Sequence, residues 1–176
     1  MARANSGLSL IELLVTLSIV GLIVGAGVPT FATLLAQQEV RSAHGRLFRH
    51  LSMARLEAVN LGQQTVLCPS FDGQRCSGHS EWQQGWLSFV DINRNRLRDP
   101  AERALGAGSL SGGVSVRTSR ARRAIRFLPN GGSPGSNLTF TICHAQGVNP
   151  RAIILSNAGR ARSSSTRPDG NPLICA

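Results

Sequence analysis

The chain has 176 residues, the size of one domain with an appendage, which excludes a large multidomain protein. Its formal net charge is +10 and every basic residue is an arginine, so an acidic or neutral surface is excluded as well. Residues 1–102 carry nine arginines and eight acids, whereas residues 103–176 carry ten arginines and only Asp169. The positive charge is therefore concentrated in the C-terminal part. Each guanidinium group there can donate two parallel hydrogen bonds to a phosphate.

A candidate membrane span follows a short polar leader at the N-terminus. The stretch from Leu13 to Gln38 carries no charge, and with residues 8–11 its apolar part reaches roughly the 20 residues that cross a bilayer as a helix. A cleaved secretory signal has its cleavage site after the apolar run and does not tolerate an acid such as Glu12 within it. The candidate cleavage site here lies before the run, between Gly7 and Leu8.

The helical pattern continues beyond the span. Pro29, after three glycines, predicts a kink or local melting. Apolar residues then recur at spacings of three or four with arginines between them, which predicts an amphipathic helix packed on a domain. These residues are Val40, Ala43, Leu47, Leu51, Ala54, Ala58 and Leu61. One helix of about 54 residues, ending at Gly62, is therefore expected to link the membrane to a globular head.

The remainder of the chain predicts a β-rich head. Short apolar runs alternate with Gly, Pro, Asn and Ser clusters, which is typical of strands joined by turns. The expected strands are Thr65–Cys68, Gly85–Val90, Ile125–Leu128, Leu138–Cys143 and Ala152–Leu155. The expected loops are Gly106–Gly113 and Asn130–Asn137.

Motifs at both ends of the chain resemble those of one family. Gly7-Leu8-Ser9-Leu10-Ile11-Glu12-Leu13 followed by Pro29 looks like the processing signal of type IV pilins and type II secretion pseudopilins. Leu67-Cys68-Pro69-Ser70, the tryptophans of the head and Asn157-Ala158-Gly159-Arg160 are similar to the FimT/GspH branch of minor pilins and pseudopilins. The resemblance implies an α+β, type IV pilin-like fold. In it, a long N-terminal helix, transmembrane in one half and amphipathic in the other, packs on an antiparallel β-sheet head.

The resemblance also implies a processing and assembly route. Residues 1–7 would be a leader removed by a prepilin peptidase, and the new N-terminus at Leu8 would be methylated. Glu12 would meet the positive N-terminus of a neighbouring subunit, because an unpaired carboxylate is costly in lipid. Residues 8–35 would form the transmembrane half of the helix and residues 36–176 the head. The chain would cross the inner membrane once, with the head in the periplasm, and then join other minor and major pilins at a pilus tip on the cell surface.

A Gly-Arg-x-Arg motif near the C-terminus is implicated in DNA binding during natural transformation in FimT-type members. This chain has Gly159-Arg160-Ala161-Arg162 at the matching place, and Arg151 and Arg167 lie near it in the sequence. Such contacts would give sequence-independent binding to duplex DNA that weakens with salt. The alternative is that the turn caps a hairpin and the arginines keep the surface soluble.

A second basic segment offers an auxiliary DNA patch or a docking surface for an acidic neighbour. Its members are Arg117, Arg120, Arg122, Arg123 and Arg126. Five arginines in ten residues exceed what is needed to protect a strand edge.

Other constellations point away from catalysis and metals. Asp91–Glu102 places oxygen ligands as an EF-hand loop does, but Arg96 replaces the glycine at its sixth position, and interleaved arginines offset the charge. An Asx-rich turn and no metal site are expected. Trp82 and Trp86 are expected in the core. No nucleophile, phosphate-loop or cofactor motif appears, so neither an enzyme nor a cofactor is expected.

The four cysteines predict two disulfides rather than zinc, and hence an oxidising compartment. Spacing alone leaves three connectivities open. Proximity along the chain and the family resemblance together favour Cys68–Cys76 and Cys143–Cys175.

Two functions follow from these features. The first is a minor pilin that captures extracellular DNA for natural transformation. The second is a structural minor pilin or pseudopilin that primes or caps a filament without binding DNA.

Overall fold

The computed structural model describes residues 9–110, 112–119 and 121–175, in which one helix precedes eight strands. The helix α1 spans Leu10–Leu61. The strands are β1 Thr65–Pro69, β2 Trp86–Val90, β3 Ala104–Gly108, β4 Val114–Thr118, β5 Ile125–Phe127, β6 Leu138–His144, β7 Arg151–Leu155 and β8 Ala161–Ser164. The chain divides into two compact units, the first ending at Leu35 and the second beginning at Ala36.

Both ends of α1 have local causes. At the start, the backbone N–H of Glu12 donates a hydrogen bond to Ser9 Oγ at 3.3 Å, so Ser9 acts as the N-cap. At the end, Gly62 takes a positive φ of 62° and its N–H donates to the carbonyl of Val59, which closes the last turn. The helix continues through Pro29, so the local melting that the sequence predicts there does not occur.

The part of α1 in the first unit has the character of a membrane span. Large apolar side chains are exposed on all sides of the helix from Leu10 to Val24. The helix is long and apolar enough to cross a bilayer. A helix whose apolar side chains are exposed on every face is suited to contact with lipid or with neighbouring helices.

In the second unit, α1 buries one apolar stripe against the sheets. Its members are Ala36, Val40, Ala43, Leu47, Leu51, Ala54 and Ala58, each no more than 2% exposed. The predicted stripe is therefore confirmed up to Ala58. Leu61 is 40% exposed, and its predicted burial is wrong because α1 ends there.

The strands form two antiparallel sheets of four. The first has the order β3-β2-β1-β5 and the second the order β4-β6-β7-β8. The sequence pattern predicts five of these strands but not β3, β4 or β8. The predicted loop Gly106–Gly113 is wrong at its start, because residues up to Gly108 pair with β2.

The main core lies between the helical stripe and the inner faces of the sheets. Trp82 and Trp86 are both fully buried, as predicted, and the Trp82 ring meets Phe140 edge to face at 5.1 Å. A smaller cluster of Val66, Leu87 and Phe89 surrounds Cys68 on the other face of the first sheet. The core thus supports the sheets on which the arginine motif lies.

Both cysteine pairs form the disulfides that the resemblance implies. Cys68–Cys76 closes the loop after β1, and Cys143–Cys175 joins β6 to the tail that follows β8. Because β6 and β8 flank β7, the tail returns across the sheet from its edge.

Candidate functional site

The Gly-Arg-x-Arg motif forms the turn and the first residues of the β7–β8 hairpin. The N–H of Gly159 donates to the carbonyl of Ser156 at 2.9 Å, and the N–H of Ser156 donates to the carbonyl of Arg160 at 3.0 Å. Gly159 has a φ of 74°, as the last residue of a three-residue hairpin turn requires. The motif is therefore a tight turn that leads directly into β8.

Glycine is required at position 159 for a second reason. It is buried, and a Cβ atom built there would lie 2.0 Å from the carbonyl oxygen of Gly131. That same oxygen accepts a hydrogen bond from Arg55 Nε at 2.9 Å. The turn, the loop before β6 and α1 thus meet at one crowded point.

Two asparagines anchor the turn to the loop before β6. The N–H of Asn157 donates to Asn137 Oδ1 at 2.9 Å, and the N–H of Asn137 donates to Asn157 Oδ1 at 3.2 Å. The N–H of Ser133 donates to the carbonyl of Asn157 at 2.8 Å. Side chains displayed from this turn are therefore held on a well-braced element.

Arg160 and Arg162 lie on the same face of the hairpin. Ala161, between them, packs against the core, and residues alternate in direction along a strand. Arg162 pairs with Ile154 across the hairpin, and β8 is an edge of its sheet. Both arginines are exposed, and within the residues that the structure describes neither guanidinium has a hydrogen-bond or ion-pair partner.

A groove of ≈ 850 Å³ runs between α1 and this hairpin. Arg160 and Arg162 border it from the hairpin, and Arg55 borders it from α1. Its apolar lining includes Leu56 and Val59, which are 57% and 49% exposed. Three guanidinium groups therefore surround one open surface.

Sequence reasoning missed Arg55 as a member of this site. Its place beside Ala54 in the buried stripe signals a half-buried arginine at the border of the core. The partner that fixes it, the carbonyl of Gly131, is 76 residues away in the sequence.

The other predicted contact residues lie elsewhere. Arg151 pairs with Ile142, which places it on the opposite face of the sheet from Arg162. Arg151 lies near His44. Burial lowers the pKa of the His44 imidazole, and the positive charge of Arg151 lowers that pKa further. Arg167 is half-buried in a turn of the tail, where its N–H donates to the carbonyl of Asn171 at 2.8 Å. The Asn171 side chain holds the pKa of the neighbouring Asp169 below its ordinary value.

The second basic segment does not form one patch. Arg117 lies on β4, the opposite edge of the sheet from β8, whereas Arg126 lies on β5 in the other sheet. The Arg122 guanidinium donates to the carbonyl of Gly135, and its own carbonyl accepts the Trp82 indole N–H at 3.2 Å. Arg123 is exposed. Arg120 lies outside the described residues.

Of the residues predicted to act in processing and assembly, only some lie within the described structure. Gly7 and Leu8 lie outside the described residues. Glu12 is the acidic residue in the first turn of α1. Acidic side chains are favourable at a helix N-terminus.

A metal cluster is not seen in the described part of the chain, where no three His, Cys, Asp or Glu side chains come together as ligands. All four cysteines are in disulfides.

Comparison with protein families identifies two matches. Residues 43–159 match the family described as type II transport protein GspH, and residues 2–28 match the prokaryotic N-terminal methylation motif. The chain is 32% identical over 164 residues to the pilin-like protein PilA1 of Thermus thermophilus, a match that covers 89% of this chain and 96% of that protein.

Solved structures show the same fold. The type IV minor pilin FimU of Pseudomonas aeruginosa matches with a TM-score of 0.58 and 22% identity, covering 73% of this chain and 90% of FimU. The minor pseudopilin EpsH of the Vibrio cholerae type 2 secretion system matches with a TM-score of 0.51 and 13% identity, covering 72% of this chain and 96% of EpsH.

The relatives are pilins and pseudopilins by name, and the pilin fold and apolar N-terminal helix of this chain fit membrane anchoring and incorporation into a pilus. Because the family match covers more than half of the sequence and the relative is similar along nearly all of it, the chain belongs to the GspH family of type IV minor pilins and pseudopilins.

Proposed function

We propose that this minor pilin binds duplex DNA without sequence preference through its β7–β8 hairpin, and that the binding serves DNA uptake in natural transformation. The observation that carries the proposal is the pair Arg160 and Arg162, exposed on one face of a braced hairpin with no acidic partner among the described residues. Unpaired guanidiniums on a fixed element are suited to phosphate oxygens, which accept two parallel hydrogen bonds from each fork.

The surface supports contacts to the phosphate backbone and not to base edges. β8 has only four residues, and β7 is paired with β6 on its other side, so the hairpin does not project as a free two-stranded ribbon that could enter the major groove. Arg55 adds a third guanidinium beside the groove. Contacts of this kind position a duplex without reading it.

The proposed route to the filament follows the N-terminal signal. A prepilin peptidase removes residues 1–7, Leu8 is methylated, and Glu12 pairs with the N-terminus of a neighbouring subunit during assembly. Before assembly, residues 8–35 anchor the chain in the inner membrane and the head, residues 36–176, faces the periplasm. The match to the methylation motif and the apolar first half of α1 support this route.

A second candidate function is that of a subunit that primes or caps a filament without binding DNA. The match to a type II transport family and to a pseudopilin fold favours it. In that case the exposed arginines contact an acidic neighbouring subunit.

The test is a fluorescence-anisotropy titration of the full chain, in non-ionic detergent, with two duplexes of equal length and unrelated sequence. We expect equal affinities for both duplexes. We expect a plot of log affinity against log salt with a slope of about −2 to −3, since each phosphate contact contributes about −0.9. Arg160→Gln combined with Arg162→Gln should bring the slope close to −1.

A matched control removes two positive charges elsewhere. Arg49 and Arg103 are exposed and lie away from the groove. Their double substitution by glutamine should leave most of the affinity intact. Undetectable binding by the wild-type chain at low salt, or equal losses in the two double variants, would favour the filament-building function.

A further inference from the structure

The segment Asp91–Glu102, which joins β2 to β3, has an unexplained arrangement of oxygen atoms. Its side-chain oxygens occupy positions 1, 3, 5, 9 and 12 of a twelve-residue loop, the spacing of a calcium-binding EF-hand loop. One departure from such loops is Arg96 at the sixth position, where they need glycine for a sharp turn. The structure removes that objection to calcium.

The backbone makes the sharp turn in spite of the arginines. Arg96 has a φ of 63°, in the left-handed region that glycine favours. Arg94, two residues earlier, has a φ of 62°. An arginine is strained in this conformation, so other parts of the loop must hold it there.

Hydrogen bonds within the loop gather its oxygen-bearing side chains. The N–H of Arg96 donates to Asp91 Oδ2 at 3.2 Å, which joins the sixth position to the first. The side-chain amides of Asn93 and Asn95 both donate to Asp99 Oδ2, at 2.6 and 3.3 Å. Glu102 accepts the N–H of Asp99 at 3.1 Å. Positions 3, 5, 9 and 12 are therefore linked around Asp99.

Asp91 is the observation that points to a ligand. It is 1% exposed, and its Oδ1 accepts no hydrogen bond from any residue that the structure describes. Its other oxygen, Oδ2, is held by the loop through Arg96 and by Gln64, whose amide donates at 2.6 Å. The carboxylate is thus fixed inside the loop with one oxygen free. A buried oxygen without a partner is costly, unless a cation binds it.

The arginines of the loop form no ion pairs with its acids. Over residues 9–110, 112–119 and 121–175, no arginine or histidine nitrogen lies within 4.0 Å of a carboxylate oxygen of Asp91, Asp99 or Glu102. Arg94 and Arg96 are exposed, and Arg98 donates to the carbonyl of Gln74. The interleaved arginines therefore leave the carboxylate oxygens of the three acids without a direct cationic partner.

We infer that the segment Asp91–Glu102 is a calcium-binding loop. The ligands are the side-chain oxygens of Asp91, Asn93, Asn95, Asp99 and Glu102 and the main-chain oxygen of Leu97. Among the described residues the three acids of this set are not gathered as a metal cluster, so calcium must draw Asp91, Asp99 and Glu102 together when it binds. Calcium fits better than magnesium, because it accepts six to eight oxygens in flexible geometry.

The test is calorimetric titration of the full chain in detergent, freed of metal by a chelator, with calcium chloride and separately with magnesium chloride. We expect one calcium site with a Kd of about 10⁻⁴ to 10⁻³ M, the range of extracellular modules, and weaker magnesium binding. Absence of saturable calcium binding up to roughly ten times the upper limit of that range overturns the inference.

Three variants assign the site to this loop. Asp99→Asn keeps the shape of the side chain and should weaken calcium binding at least tenfold, whereas Glu81→Gln, an exposed acid outside the loop, should not change it. Arg96→Gly removes both the strained φ and one positive charge, and should strengthen binding. Calcium binding that survives Asp99→Asn unchanged, or that Arg96→Gly weakens, overturns the inference.

Discussion

The β7–β8 hairpin and the segment Arg117–Arg126 are both rich in arginine, but the fold uses these arginines differently. In the hairpin, Arg160 and Arg162 share one face and have no partner in the described structure. In the second segment, Arg117 and Arg126 belong to different sheets, and the Arg122 guanidinium binds a carbonyl. The density of arginine in a sequence therefore does not define a binding patch. The spacing of two residues on one strand does so better, since it fixes a shared face.

The largest expected effect concerns the glycine that sets the hairpin apart. Gly159→Ala combines a positive φ with a Cβ atom 2.0 Å from the Gly131 carbonyl oxygen. We expect a loss of roughly 3 kcal/mol in the free energy of unfolding, from backbone strain and overpacking together. Scanning calorimetry should show a fall in Tm of about 10 °C.

Gly170→Ala is the matched control for this substitution. Gly170 has a φ of 84° but no atom within 4 Å of the added Cβ, so it tests backbone strain alone. We expect about 1 kcal/mol. Equal Tm values for the two variants would show that the contact with Gly131 is relieved at little cost.

The second prediction tests the structural role of an arginine in the other region. Arg122→Gln removes a charged donor from the carbonyl of Gly135 and should cost about 1 kcal/mol of stability. It should leave DNA affinity nearly unchanged. Arg123→Gln, one residue along and exposed, should change neither the Tm nor the affinity. A loss of DNA binding in Arg122→Gln with an unchanged Tm would reverse the assignment.

The third prediction tests whether DNA bound at the β7–β8 hairpin extends to Arg117. Arg117 pairs with Thr141, which aligns through Ala152 with Ser164 on β8, so Arg117 shares a sheet face with Arg162. Three strand spacings, about 14 Å, separate β4 from β8, and Arg162 lies two residues from Ser164 along β8. The tail that the Cys143–Cys175 bond holds against β6 lies on this face between them, so a duplex on the hairpin should not reach Arg117, and Arg117→Gln should leave the salt slope unchanged. The same slope as in Arg123→Gln would confine DNA to the hairpin, whereas a slope about 1 less steep would extend the contact to Arg117.

The smallest expected effect is a pH dependence at the helix beside β7. Burial, and then the charge of Arg151, lower the pKa of His44 below its ordinary 6.5. The unfolded chain then binds the proton more readily, so the stability is fully present above pH 6.5 and is lost as the pH falls towards the lowered pKa. Urea unfolding at several pH values should show this loss in the wild type, and less of it in Arg151→Gln. The slope should nearly vanish in His44→Gln, apart from the contribution of His50, whose pKa burial also lowers.

The helix and most of the paired strands could be predicted because their signals are local. The stripe from Val40 to Ala58 has a spacing that only one helical face satisfies, and all its members are buried. β3 could not be predicted in this way, since Ala104–Gly108 is rich in alanine and glycine and is held as a strand by pairing with β2. β8 has an Arg-Ser sequence with little strand propensity, and it exists because the Gly159 turn folds it against β7.

The residues of the candidate site also divide into those with a local sequence signal and those without one. The motif residues Gly159, Arg160 and Arg162 could be found by their pattern, and the structure places them together. The sequence could not predict that Arg151 lies on the opposite sheet face from Arg162, because this depends on which face of β7 meets the core. Arg55 joined the site through a contact across 76 residues. Contacts at such distances in the sequence leave no periodic signal in one chain.

The Cys143–Cys175 disulfide gives the arginine hairpin a second covalent attachment to the rest of the chain. The bond closes a covalent ring of chain that contains all of β7 and β8. In the chain-entropy picture, a ring of this size removes about 3 to 4 kcal/mol of freedom from the unfolded chain. A protease that cuts one exposed peptide bond between β6 and β7, for example near Gln146, opens the ring without releasing a fragment. The nicked hairpin remains covalently attached to β6 through Cys175, so one proteolytic cut does not detach its arginines from the subunit.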